Sequence, residues 1–176
     1  MKTKTPTLIA ICGLPGSGKS SVARIVAQRI GARHLNSDRI RRELFAVRTY
    51  ADDESRTVYQ ALFGRAAEAL AAGENVVLDA TFMKATHRQP IWDLARDVGA
   101  ELHLIWVTCT PAVAEARLAT RVGDVSEADI NVYRLLAAQF EPIAERHTQI
   151  DNSAGLPQLE QQIEEYILAC ILINDR

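Results

Sequence analysis

Short apolar runs alternate along this chain with longer amphipathic stretches. Five runs, each beside a turn signal and several rich in valine and isoleucine, are typical of buried strands: Thr7–Cys12, Arg33–Asn36, Asn75–Asp79, Leu102–Thr108 and Thr148–Asp151. The stretches between them place apolar residues at helical spacing, over Lys19–Ile30, Ser37–Val47, Glu54–Ala72, Ala85–Val98, Pro111–Arg121, Ser126–Phe140 and Pro157–Ile171. The pattern therefore predicts strands that alternate with helices.

Residues at the ends of the amphipathic stretches support these limits. Gly31, Gly73 and Gly99 follow three of them, where a left-handed cap is expected. Thr110 and Pro111 suit an N-cap and a first helical turn. Because alternating strands and helices form a parallel sheet covered on both faces, we expect an α/β fold with three layers. A five-stranded parallel sheet flanked by helices would form one domain over residues 1–176.

Composition narrows the class of protein. Of the 176 residues, 48% are hydrophobic and 24% are charged, as in ordinary globular proteins, and the formal net charge of −2 gives no overall attraction to nucleic acid. The apolar runs Leu8–Cys12 and Tyr166–Ile173 are too short for a secretory leader or a membrane span. Cys12, Cys109 and Cys170 have the spacing of neither a disulfide framework nor a zinc site. We therefore expect a cytoplasmic protein that does not contact a membrane.

The first strand runs into GLPGSGKS, residues 13–20, which has the spacing G-x-x-x-x-G-K-[ST]. Glycines at these places let backbone N–H groups turn toward a phosphate, and the helix that follows adds its positive dipole end. Lys19 would reach the β and γ phosphates, and the Ser20 hydroxyl would bind Mg²⁺. The alternative is a glycine-rich turn with an accidental lysine. We predict nucleotide contacts by Gly13, Gly16, Ser17, Gly18, Lys19, Ser20 and Ser21.

The second strand is followed by a possible base. Ser37 suits an N-cap, and Asp38 then lies in the first helical turn, where a carboxylate is favoured. Arg41 is three residues further on the same predicted face. The pair would serve as general base for a hydroxyl and as a clamp for the acceptor or the γ-phosphate, or else only as a helix cap. Arg39 and Arg42 would face solvent.

The remaining strand ends provide further candidates. Asp79 ends the third strand and would orient the Mg²⁺ shell, unless it only caps the next turn. Arg117 and Arg121 lie four apart on one helix and would close over the transferring phosphoryl group from a lid at about 114–128, unless both are only solvated. Asn152, after the fifth strand, would contact the adenine.

With these residues the chain resembles the P-loop kinase-like ATP-binding proteins, which include the kinase domains of polynucleotide 5′-kinases, zeta toxins and gluconate-type kinases. It also resembles small ATP-binding domains that occur fused to aminoglycoside-phosphotransferase-like domains. The stretches that carry the resemblance are GLPGSGKSS, SDRIRREL, VVLDATF, RLATRVGDVSEAD and HTQID. It implies a P-loop NTPase fold, with Lys19 and Ser20 on phosphate and Mg²⁺, Asp38 as base, Arg41 on the acceptor or scissile phosphate, and Arg117 and Arg121 in a lid.

The position after Thr81 departs from this resemblance. Polynucleotide kinases usually carry Asn there, and this chain has Phe82. Thr81 and Phe82 would line the acceptor pocket, where an aromatic ring would stack on a base or close the pocket around a smaller substrate. Arg88 is a further candidate for this pocket.

These patterns predict an ATP- and Mg²⁺-dependent kinase that phosphorylates a hydroxyl group, with a small metabolite as acceptor. A polynucleotide 5′-hydroxyl kinase is an alternative, favoured if Arg39, Arg41, Arg42 and Arg48 form one basic strip. A non-catalytic ATP-binding switch or toxin-like module is a second alternative.

Overall fold

A parallel sheet with strand order β2-β3-β1-β4-β5 organises the chain. The computed structural model describes residues 5–49, 51–120 and 130–170. In these residues all strand pairings are parallel, and the five strands are β1 Thr7–Cys12, β2 Arg33–Asn36, β3 Val76–Asp79, β4 Glu101–Thr108 and β5 Thr148–Asp151. The predicted five-stranded parallel sheet is confirmed.

The described residues form seven helices around this sheet: α1 Lys19–Ile30, α2 Ser37–Leu44, α3 Asp52–Ala71, α4 Ala85–Val98, α5 Pro111–Ala119, α6 Ile130–Gln139 and α7 Leu156–Cys170. Gly31 and Gly99 have left-handed φ values of 62° and 68° and end α1 and α4 as expected. Thr110 caps α5, with Pro111 in its first turn. The capping signals in the sequence therefore mark most helix ends well.

Two details at α2 differ from the prediction. The N-cap is Asn36, whose side-chain oxygen accepts a hydrogen bond from the Arg39 N–H at 2.8 Å, and Ser37 is the first helical residue. The helix ends at Leu44 and not at Val47, because Phe45 turns to extended backbone and packs against the core. Asp38 still lies in the first turn.

Alternating side chains along the strands separate two hydrophobic cores. Leu8, Ala10 and Cys12 of β1 face a core shared with α3, α4 and Ile40 of α2. Ile9 and Ile11 face the other core, which α1 and α7 cover. This division places α2 on one face of the sheet and α1 and α7 on the opposite face.

The turn after β3 contains an unusual residue. Phe82 has a φ of 46°, the only positive φ outside glycine in the described residues. Its ring is fully buried and packs against Tyr59 and Phe63, with ring centroids 5.5 and 6.3 Å away. Its N–H donates to the Tyr59 hydroxyl at 3.2 Å, and its carbonyl accepts from Arg88 Nη1 at 3.0 Å. These contacts hold a backbone conformation that a bulky side chain rarely adopts.

Candidate functional site

The β1–α1 loop, residues 13–18, lies at the carboxyl edge of the sheet, next to the turn after β3. The Gly13 N–H donates to the Thr81 carbonyl at 3.4 Å, and the Ser17 N–H donates to the Leu14 carbonyl at 3.2 Å. Gly16 has a φ of 80°, and a Cβ there would lie 2.9 Å from the Ala114 carbonyl oxygen of α5. The tight path of this loop therefore requires glycine.

The loop ends at Gly18, which caps α1 with a φ of 85°. Lys19, Ser20 and Ser21 follow in the first helical turn, where the first backbone N–H groups of a helix have no acceptor in a preceding turn, although the Ser21 N–H already donates to the Gly18 carbonyl at 3.0 Å. The Lys19 side chain is only 8% exposed, and within the described ranges no carboxylate or carbonyl pairs with its ammonium. A buried positive charge at a helix N-terminus is suited to bind a phosphate.

Asp79 is fully buried at the end of β3. Its Oδ2 lies 3.0 Å from His34 Nε2 and accepts a hydrogen bond from Asn36 Nδ2 at 2.6 Å. Burial raises the pKa of Asp79, but the His34 hydrogen bond, the charge of Lys19 and the Asn36 hydrogen bond outweigh it, so the pKa lies below its ordinary value. The carboxylate is therefore ionised at neutral pH, within the electrostatic field of Lys19.

Asp38 and Arg41 have different surroundings although both are on α2. Asp38 is half-buried in the first turn. Arg41 is 6% exposed, and its Nη1 pairs with Glu54 Oε1 of α3, while its Nη2 donates to Ser55 Oγ at 3.4 Å. Glu54 also accepts hydrogen bonds from the N–H and hydroxyl of Thr49 at 2.7 and 2.8 Å. The guanidinium thus joins α2 to α3.

This burial removes the basic strip that would favour a polynucleotide substrate. Arg39 and Arg42 are exposed, whereas Arg41 lies inside the molecule. Arg39, Arg41, Arg42 and Arg48 therefore do not form one exposed basic strip, which was the condition that would favour a polynucleotide substrate. An acceptor clamp by Arg41 stays a prediction, and it requires the guanidinium to leave Glu54 for a phosphate.

Arg117 and Asn152 hold the β1–α1 loop from the side of β5. Arg117 Nη1 donates to the carbonyls of Gly16 and Ser17 at 3.3 and 3.4 Å, and its Nη2 donates to the Asn152 carbonyl at 2.8 Å. Asn152 is 5% exposed, and its Nδ2 donates to the Ser17 carbonyl at 2.9 Å. The structure thus brings both predicted residues to the loop.

The predicted lid is only partly within the described residues. Residues 121–129 lie outside them, and these include Arg121 and Ser126, the predicted start of α6. Closure of Arg117 and Arg121 over a phosphoryl group stays a prediction.

Phe82 and Arg88 do not line a pocket as expected. The Phe82 ring is in the hydrophobic core, because the positive φ of this residue directs it inward, and it is not available to stack on a base. Arg88 is 1% exposed and bonds to the Pro142 carbonyl at 2.9 Å, the Phe82 carbonyl and Glu145. Its guanidinium joins the turn after β3 to residues 142–145. Thr81 is half-buried beside Gly13.

Sequence reasoning missed the partners of the charged residues. His34 and Asn36 are two apart on β2, so they face the same side, and Asn36 is paired in register with Asp79. Polar residues at alternate positions of a strand were the available signal for this pair. Glu54 gave no such signal, because its partner Arg41 is on another helix.

Comparisons with known proteins identify a family and a fold. The model of the family AAA_33, described as an AAA domain, matches residues 8–143. An uncharacterized protein of Mycobacterium tuberculosis is 31% identical over 147 residues, which are 77% of this chain and 30% of that protein. The chain thus spans less than a third of the length of the curated relatives it matches.

Solved structures share the fold. An APS kinase of Mycobacterium tuberculosis, in complex with AMPPNP and APS, superposes with a TM-score of 0.70 at 19% identity, covering 93% of this chain and 96% of the other. A gluconokinase of Sinorhizobium meliloti superposes with a TM-score of 0.62 at 22% identity, covering 94% and 98%. The arrangement of strands and helices is that of the P-loop kinases. In the described parts of the chain, no helix is long and apolar enough to cross a membrane.

Proposed function

Because the chain belongs to the AAA_33 family of P-loop kinases, we propose that it is an ATP-dependent kinase that phosphorylates a hydroxyl group of a small metabolite. The observation that carries this proposal is Lys19, an ammonium buried at the start of α1 with Asp79 close enough to feel its charge. A nucleoside triphosphate would bring phosphate groups whose negative charge pairs with the Lys19 ammonium.

The nucleotide would bind along the loop and on the β5 side of it. Gly13, Gly16, Gly18 and the first turn of α1 would present N–H groups to the phosphates, and Lys19 would neutralise their charge. Asn152 would lie beside the adenine, and Arg117 would fix the loop through the carbonyls of Gly16 and Ser17. These residues bind and orient ATP.

Mg²⁺ fits the oxygen atoms that lie nearby. Asp79 Oδ1 is buried without a hydrogen-bond partner in the described chain, and the carboxylate is held ionised. Hard oxygen ligands of this kind are what Mg²⁺ prefers, so Ser20 and Asp79 would hold the ion, Asp79 directly or through water. When bound, it neutralises charge on the phosphates.

Asp38 would act as the base. The acceptor oxygen forms a bond to the γ-phosphorus, the bond from that phosphorus to ADP breaks, and the hydroxyl proton passes to Asp38. Arg41 would keep α2, and so Asp38, in place through Glu54 until it contacts a phosphate. Arg121 would act from the lid. The names APS kinase and gluconokinase of structurally similar proteins do not define the acceptor of this one.

A screen of hydroxyl compounds with γ-labelled ATP tests the proposal, with Lys19→Ala as the blank. On any acceptor found, Asp38→Ala should lower transfer about 10²-fold while ATP binding is retained, because only proton removal is lost. Glu43→Gln, an exposed change on the same helix, is the matched control. Full transfer by both Asp38→Ala and Arg41→Ala would rule out the base assignment.

A further inference from the structure

A cavity of about 430 Å³ lies against the β1–α1 loop, and neither Arg117 nor Asn152 lines it. The loop forms one wall, the end of β4 forms the floor, and α6 and residues 140–143 form the other walls. Apolar and aromatic side chains dominate the lining, among them Leu14, Pro15, Trp106, Tyr133, Phe140 and Ile143. Of the described residues that line it, none is Asp, Glu, Lys, Arg or His.

The cavity is on the same face of the sheet as Asp38. Trp106 and Ile143 pack against the hydrophobic core that contains Ile40 of α2. The Glu141 N–H donates to the Met83 carbonyl at 2.9 Å, which joins the cavity wall to the turn that follows Asp79. The β5 side of the loop, where Asn152 lies, has none of its residues in the lining. The cavity therefore shares a face of the sheet with the predicted base Asp38, which favours the acceptor as its ligand.

One polar group in the wall is suited to a ligand. Ser17 is 2% exposed and lines the cavity, and its Oγ has no hydrogen-bond partner among the described residues. A buried hydroxyl of this kind costs free energy unless something bonds to it. It also belongs to the loop that would hold the phosphates, so a ligand that reaches it is close to the nucleotide.

We propose that this cavity binds the apolar body of the phosphate acceptor, which is an alcohol with an aromatic or aliphatic ring. The inference rests on the proposed kinase function and narrows its acceptor class. A polyhydroxylated compound such as a sugar or an aminoglycoside has more hydroxyl groups than this lining can pair, and each group that loses water without a partner costs about 1–3 kcal/mol. An apolar ring between Tyr133, Phe140 and Pro15 gains free energy from the same burial.

Ligand-observed ¹⁹F NMR on the full chain with ADP tests the site, using 2-(4-fluorophenyl)ethanol as probe and 2-deoxy-2-fluoro-D-glucose as its polar counterpart. Ala137→Trp places a large ring at the cavity wall, and Ala138→Trp adds the same ring one position further along α6, outside the lining. Both alanines are exposed, so both variants should fold, which their melting temperatures will check.

The expected result is binding of the aromatic alcohol that Ala137→Trp weakens about ten-fold and Ala138→Trp leaves intact, with no binding of the fluorinated sugar. Equal probe binding by both variants, or tighter binding of the sugar, would overturn the inference.

Transfer from γ-labelled ATP is measured in the same samples. Sugar phosphorylation that is equal in both variants would overturn the cavity assignment and keep the kinase. Selective probe binding with no transfer to any hydroxyl would refute the proposed function and keep the apolar specificity.

Discussion

The residues on the two sides of the β1–α1 loop are held in place differently. On the β5 side, Arg117 and Asn152 donate to backbone carbonyls of Gly16, Ser17 and Asn152 itself. On the α2 side, side chains hold one another: Arg41 pairs with Glu54, and His34 contacts Asp79. Each contact on the β5 side needs only one donor side chain, because its acceptor is a backbone carbonyl. Each contact on the α2 side needs two side chains that match each other.

This difference has an energetic consequence. A carbonyl oxygen is present at every residue, so the β5 contacts use no side chain of the loop as acceptor. A buried charge pair fails when either partner is removed, because the other charge then stays buried without its partner. We therefore expect substitutions on the α2 side to affect stability and those on the β5 side to affect nucleotide affinity.

Lys19 lies between the two sides, and its loss should have the largest effect. Lys19→Ala removes the charge that would stabilise the transferring phosphoryl group, and we expect about 10³-fold slower transfer from γ-labelled ATP. The fold should tolerate the change, since within the described residues no ion pair of Lys19 is broken. Lys84→Ala, outside the loop, is the control. Transfer within ten-fold of wild type would contradict the proposed role.

Glu54→Ala should lower stability more than any change on the β5 side of the loop. The side chains of Arg41 and Glu54 are 8% and 5% exposed, so we expect a loss of about 3 kcal/mol in the free energy of unfolding, measured in urea. Glu43→Ala breaks the exposed pair with Arg65, which joins the same two helices, and should cost about 0.5 kcal/mol or less. Equal losses would show that burial does not distinguish the pairs.

Arg117→Ala tests the β5 side. Three hydrogen bonds to carbonyls are lost, and we expect the KM for ATP to rise about ten-fold, with a smaller loss of stability than Glu54→Ala causes. Arg134→Ala, an exposed arginine of α6, should leave the KM unchanged. A fall in kcat with constant KM would instead place Arg117 on the transferring phosphoryl group.

The smallest effect concerns pH. Burial, and then the charge of Lys84, lowers the pKa of His87, whose ring stacks on Tyr59 at 4.7 Å. The unfolded chain therefore binds the proton first as pH falls below the ordinary value of 6.5, and stability decreases there. Urea unfolding between pH 7 and 5 should show this slope in the wild type and a reduced slope in His87→Phe.

The same contrast explains how far the sequence could predict the site. Strands, turns and the loop motif are local patterns, so the sheet and the positions of Lys19, Asp38 and Asp79 at its edge followed from them. Arg41 and Glu54 are paired across two helices, and a helix face in one segment does not reveal the partner in another. The closure of Arg117 over a phosphate stays a prediction, but its contacts with the loop carbonyls could not be predicted, because only the folded loop defines where those carbonyls lie. The single domain over 1–176 stays a prediction.

The left-handed backbone at Phe82 changes how this position should be compared between proteins. Asparagine tolerates positive φ better than most residues, so the Asn of the polynucleotide kinases that the chain resembles would suit the same turn. Here the phenylalanine gains its stability from a ring that reaches the core. Because its ring is buried in the core, Phe82 does not by itself indicate which acceptor this chain uses.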